Sequence, residues 1–248
     1  MAEMIYEGTY RVNTYETDAS GSLSVQGLFN FLQDAASRHA EKLELGKDDL
    51  AAENMFWVLS RIYVSIYQMP GWEEEITIRT WPHGVKGIFA LRDFEILGQD
   101  QKKIGAATSC WLIVDSENRR PLRPGKLLTE PDKLTNEKNP PERYPEKIPA
   151  IEKASYSSPV FMVKYSELDI NMHANNVQYI KWVLDSYPLD FRLKNELESA
   201  EINYLSEALH SDEISVLTEQ SAAYSFDHCV FRKNDNKELC RMRIVWKG

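Results

Sequence analysis

The chain is poor in the residues that most often announce a function. It has 3 cysteines in 248 residues, at Cys110, Cys229 and Cys240. They lie in strand-like stretches without paired spacing, which excludes a disulfide framework and a zinc-ligand pattern and indicates reduced thiols. Basic residues are also in deficit, with 29 Lys and Arg against 38 Asp and Glu for a net charge of −9. That balance argues against nucleic acid or an anionic membrane as partner. No run approaches the roughly 20 apolar residues of a membrane span, so no membrane insertion is expected. The opening "MAEMIYEGTYRV" has no basic start followed by an apolar run, so no secretory leader is expected and the reading is cytoplasmic. A glycine-rich phosphate loop is missing too, and neither a nucleotide cofactor nor a metal is called for.

Apolar residues at 43% are enough for one large domain or two small ones with real cores. The most informative stretch is "SELDINMHANNVQYIKWVLDSYP", residues 166–188. Asp169, Asn171, His173 and Asn175 fall on a two-residue step, so an extended backbone points them to one side. A helix pattern follows at once, with Asn175 and Asn176 as cap candidates, Val177, Ile180, Val183 and Leu184 as its apolar face, and Pro188 as its stop. From the spacing alone, a polar capped loop and a catalytic loop both fit.

An echo of this stretch occurs upstream as "YETDASGSLSVQGLFNFLQDAAS", residues 15–37. Aligning Asp18 with Asp169 places Ser20, Ser22 and Ser24 opposite Asn171, His173 and Asn175. A longer helix follows Ser24 and is expected to end near Gly46. Four strand signals follow each helix, the last two of each set joined by short polar loops, as in antiparallel hairpins. Each half therefore reads as strand, polar segment, helix and four strands. The expected division is a first unit over 1–125, a proline-rich and charged linker over 126–157, and a second unit over 158–248. A helix beside antiparallel strands buries its apolar face only against the sheet, and two such units can pair edges into one longer sheet.

A helix wrapped in a curved antiparallel sheet is the hot-dog fold, and the repeat makes the expected architecture α+β, a tandem or double hot-dog. At this point the chain resembles the acyl-acyl carrier protein thioesterases of plant plastids and bacteria. "LDINMHANNVQYIKWVLDSYP" is similar to that family's D-x-N-x-H-x-N-N-x-x-Y-x-x-W-x-x-[DE] signature, and the likeness runs over essentially the whole chain. The resemblance implies hydrolysis of fatty acyl-acyl carrier protein thioesters, with the first unit shaping the acyl pocket and the second carrying the chemistry. It implicates Asp169, Asn171 and His173, and in "INYLSEALHSDEI" it adds Glu207. The family has a cysteine after that Glu, but here the residue is Ala208, which favours water activated by carboxylate and imidazole.

In that chemistry His173 is the base, and Glu207 holds the water or orients the ring. Asp169 either orients the site or attacks the carbonyl. Asn171 and the N–H groups near Asn175 and Asn176 are the candidate oxyanion donors. Ser20, Ser22 and Ser24 cannot do the same work, and Tyr67 is expected opposite Glu207, so one site per chain is expected. His39, His83, His210 and His228 lack carboxylate and amide company in sequence and read as structural or surface groups. Tyr179 and Trp182 read as helix packing. The partner that the resemblance implies is an acyl carrier protein, with "RRPLRPGK" (Arg119, Arg120, Arg123, Lys126) and "FRLK" (Arg192, Lys194) as candidate docking patches. Competing readings are a coenzyme A thioesterase, a 2-enoyl thioester hydratase and a non-catalytic acyl-binding module. Monomer and homodimer are equally compatible with the repeat.

Overall fold

In the computed structural model, the residues described are 5–124 and 143–248. The chain forms two compact units, Met1–Pro145 and Glu146–Gly248. Each alternates apolar and polar residues along its strands and buries the stripe of one main helix.

In the first unit, β1 (Tyr6–Arg11) leads through a single turn of 3-10 helix (Thr14–Glu16) to α1 (Val25–Lys42) and α2 (Lys47–Ala52). Four long strands follow: β2 (Met55–Ile66), β3 (Glu75–Lys86), β4 (Phe89–Leu97) and β5 (Lys103–Asp115). They pair antiparallel in the order β1-β3-β4-β5-β2, and the short β6 (Pro121–Leu122) pairs with β5. Ser24 caps α1 by accepting the Gly27 N–H at 3.0 Å. Leu28, Phe31, Leu32, Ala35 and Ala36 are buried along α1, as are Ile76, Ile78 and Thr80, which alternate along β3. Each such large apolar side chain contributes roughly 1.5–3 kcal/mol on burial. α1 stops at Lys42, four residues before Gly46, which instead starts α2. That second short helix is a feature the periodicity did not show.

The second unit repeats the plan with trimmed parts. Its first strand is broken into β7 (Tyr156–Ser157) and β8 (Phe161–Met162), both paired with β10. Pro159 has no N–H to give a ladder, and the Ser158 hydroxyl accepts the Val216 N–H at 3.0 Å in the gap. A 3-10 turn (Tyr165–Glu167) precedes α3 (Asn176–Asp185) and α4 (Leu189–Lys194). Pro188 ends α3 as expected but also opens α4, because its fixed φ suits a helix start. The sheet runs β9 (Leu197–Tyr204), β12 (Lys237–Trp246), β11 (Ser225–Arg232), β10 (Glu213–Ala222). Residues 146–157, inside the stretch expected to be linker, are bonded into this unit. Glu201 accepts the Glu146 N–H at 2.5 Å, Asn203 accepts that of Ile148 at 2.9 Å, and Arg241 donates to the Ile148 carbonyl at 3.1 Å.

Two histidines expected to be structural are held in unlike ways. His83 does have a carboxylate partner, supplied by strand register and not by sequence: its Nδ1 is 2.7 Å from Oδ2 of fully buried Asp93. Burial pushes the Asp93 carboxyl up, opposed by the His83 ring beside it. His228 is buried, with Nε2 2.8 Å from the Tyr187 hydroxyl and Nδ1 2.9 Å from the Thr218 hydroxyl. Burial pushes its pKa down from 6.5 to about 3. The unfolded chain thus takes up a proton that the folded chain refuses. Stability from this group is complete above the unfolded value and is lost as pH falls toward the folded one, by up to about 1.4 kcal/mol per unit. Chemical denaturation at about pH 7.5 and about pH 5 should show a smaller acid loss for His228→Gln than for wild type. Equal losses would remove His228 from the acid response.

Candidate active site

The site is built on the loop between the 3-10 turn and α3, and on the chain just after β9. Asp169 sets the loop. Its Oδ1 accepts the N–H groups of Asn171 at 2.8 Å and His173 at 3.2 Å, and its own N–H donates to the His173 carbonyl at 2.7 Å. The reversal passes through Met172 at φ +63°. Asn171 is exposed, with Nδ2 3.4 Å from Asp169 Oδ2. His173 is half-buried and bridges Leu209 across the gap, while the Ala174 N–H donates to the Ala208 carbonyl at 2.9 Å. That pairing sets His173 Nδ1 3.4 Å from Glu207 Oε1. The structure therefore brings Asp169, Asn171, His173 and Glu207 into one neighbourhood.

Asn175 and Asn176 are placed differently. Asn175 Oδ1 accepts the Val177 N–H at 3.0 Å and its carbonyl accepts that of Gln178 at 2.8 Å. Those two donors are spent on capping α3, and the Asn175 N–H itself donates to the Glu167 carbonyl at 2.9 Å, so of the helix-start groups the expected oxyanion role is left to the Asn176 N–H.

Two residues read as packing also act as clamps. The Tyr179 hydroxyl donates to the Ser206 carbonyl at 3.2 Å and accepts the Ala208 N–H at 2.9 Å, gripping the backbone on either side of Glu207. Burial lifts that hydroxyl above its ordinary range, so it stays protonated and able to donate. The Trp182 Nε1–H donates to buried Glu167 Oε1 at 2.9 Å, and Glu167 Oε2 accepts the Lys164 N–H at 2.8 Å. The spacing Asn175, Tyr179, Trp182 (i, i+4, i+7) was the available signal, since it sets all three on one helical face.

The first unit carries the same loop without this equipment. The Asp18 N–H donates to the Ser22 carbonyl at 2.9 Å, and Asp18 Oδ1 accepts the N–H of Ser20 at 2.8 Å. Ser22 bridges Gly71 as His173 bridges Leu209, and the Leu23 N–H donates to the Pro70 carbonyl at 2.8 Å as that of Ala174 donates to Ala208. The counterpart of Glu207 is therefore Met69, two residues beyond the expected Tyr67. Strand register decides this, and it is invisible when helices of unequal length shift the alignment.

All three cysteines are buried and remote in sequence from the loop. Burial pushes the thiols of Cys110 up to about 11 and Cys229 up to about 12, and that of Cys240 well above its ordinary range. None has the depressed pKa of a nucleophilic thiol. Iodoacetamide at about pH 7.5 should therefore leave activity in place. Inactivation in step with alkylation of one cysteine would reinstate a thiol mechanism.

Of the candidate basic patches, Arg119, Arg120 and Arg123 are exposed around the β5–β6 turn, and Lys126 lies outside the described residues. On α4, Arg192 donates to the Leu184 carbonyl at 3.1 Å and lies over the Trp246 ring, whereas Lys194 is exposed. Among the described residues no cluster of His, Cys, Asp or Glu fits a metal ion, and no helix is long and apolar enough to cross a membrane.

A main helix on an antiparallel sheet, present twice, with the signature loop ahead of the second helix, defines a double hot-dog protein of the thioesterase type. The chain belongs to the acyl-ACP thioesterase family: residues 3–128 match its N-terminal domain and residues 151–248 its C-terminal domain. It is 28% identical over 98% of its length to an oleoyl-acyl carrier protein thioesterase of Arabidopsis thaliana, covering 76% of that protein. It is 29% identical over 86% of its length to the enzyme of the same description from Coriandrum sativum, covering 62% of it. The crystal structure of an acyl-ACP thioesterase from Bacteroides thetaiotaomicron superposes with a TM-score of 0.89 at 28% identity, over 98% of both chains.

Proposed function

We propose that this chain hydrolyses fatty acyl-acyl carrier protein thioesters in the cytoplasm, with water activated by His173. The observation that carries the reading is the 3.4 Å approach of His173 Nδ1 to Glu207 Oε1, next to a loop that Asp169 pins. With Nδ1–H turned toward the Glu207 carboxylate, Nε2 is the lone-pair nitrogen, and it takes a proton from water. The water oxygen adds to the thioester carbonyl. The Asn171 amide and the Asn176 N–H are the available donors for the oxyanion. Collapse breaks the C–S bond, and the imidazolium returns its proton to the departing thiolate, leaving free acid and carrier thiol. Asp169 orients: one of its oxygens already holds two backbone N–H groups, which favours a positioning role over nucleophilic attack.

The test is thiol release from the same acyl group on acyl carrier protein and on coenzyme A, measured side by side. Higher kcat/KM on the carrier protein is expected. Preference for coenzyme A would overturn the choice of carrier, and no release from either by folded protein would overturn hydrolysis.

A further inference from the structure

The two copies of the loop share a backbone and differ in what they show to solvent. At three matched positions the first unit has Ala19, Gly21 and Gly71, whereas the second has Ile170, Met172 and Leu209. The three large side chains are 79%, 61% and 45% exposed. Met172 is the notable member. Gly21 takes φ +81° at no steric cost, but Met172 holds φ +63° with a full side chain. Of the 8 non-glycine residues with positive φ among those described, it is the only apolar one. A strained backbone and an apolar side chain left in water bring the isolated fold nothing, so their return comes when something covers them.

We propose that Ile170, Met172 and Leu209 form an apolar collar beside His173 that seats the pantetheine-type arm of the thioester. This rests on the site being a thioester hydrolase. Leu209 bridges His173, and Ile170 and Met172 sit in the turn that Asp169 closes onto His173, so the collar belongs to the same loop pair as the reacting groups. An acyl chain gains from burial only when enclosed, and three side chains at the surface do not enclose one. The arm, by contrast, has to run from the reacting sulfur out to its carrier, over whatever rims the site. Acyl carrier protein and coenzyme A share that arm. A chain of net charge −9 offers no long-range attraction to the arm's phosphate or to an acidic carrier, which leaves short-range apolar contact to hold it.

The test gives the second loop the first loop's residues, as the triple variant I170A/M172G/L209G. KM is measured for one acyl group on acyl carrier protein, on coenzyme A and on N-acetylcysteamine, which lacks most of the arm. The ratio of KM for the truncated thioester to KM for each arm-bearing one should fall about tenfold. A unchanged ratio, or equal rises on all three substrates, would overturn the collar. A rise confined to the carrier protein would assign these residues to the protein surface and overturn the arm assignment. M172G alone should melt no lower than wild type, since glycine relieves the strain; a lower melting temperature would mean that Met172 supports the fold and would overturn the argument from strain. The hydrolase reading is tested apart from this one. Wild type that binds free coenzyme A but turns over no thioester, with binding lost in the triple variant, would refute hydrolysis and leave the collar standing.

Discussion

His173→Ala is expected to lower single-turnover hydrolysis by at least about a hundredfold, the scale of a positioned acid-base group. His173 bridges Leu209 through its backbone, so removing the imidazole leaves the loop's backbone hydrogen bonds in place. Circular dichroism and melting temperature should therefore stay near wild type. Glu207 is the partner 3.4 Å away, with a half-exposed carboxylate that water screens, so Glu207→Gln should cost less than His173→Ala. In the double variant the losses should not multiply, because both changes disable one proton transfer. Near-normal hydrolysis by folded His173→Ala would leave the loop as a capped turn and remove the mechanism.

The other large effect is expected at Asp169. Asp169→Ala deletes an acceptor shared by two N–H groups and should lower turnover by about a hundredfold or more, with a modest loss of stability, since solvent can reach the donors it leaves. Asp169→Asn separates geometry from charge, because an amide oxygen still closes this kind of turn. Recovery of stability without recovery of turnover in Asp169→Asn is the expected result. If both variants retain turnover, the carboxylate has no part in the reaction. Asp18→Asn, at the echoing position, should leave turnover unchanged.

What the sequence made legible follows from which features are local. Helix faces, the Ser24 and Asn175 caps and the alternating strands depend on near neighbours, and they stand close to where periodicity puts them. The polar loop was legible as a group, since Asp169, Asn171 and His173 fall within five positions, but the extended backbone expected of them is a tight reversal in which Asp169 bonds back to His173. Glu207 was not, because 34 positions of helix and strand separate it from His173; only the resemblance supplied it. Its counterpart Met69 was missed because strand pairing, and not spacing, sets the match. The Asp93–His83 contact was hidden likewise, as it forms between residues of β3 and β4 near the bulge at Pro82–Gly84. Pro188 was half legible: a proline stops one helix and starts another equally well.

The first unit's Asp18 loop closes the same backbone turn, with the Ser20 hydroxyl donating to Asp18 Oδ1 where the second loop has the His173 N–H, and it has no imidazole to hold. On the proposed reading, one turn occurs twice and is equipped for chemistry once, the difference lying in the side chains that each copy mounts on the shared frame. Installing Asn, His and Glu at Ser20, Ser22 and Met69 would ask whether that frame alone can host a second site, or whether the hydroxyl of Tyr179, where the first copy has Leu28, is the part that duplication could not supply.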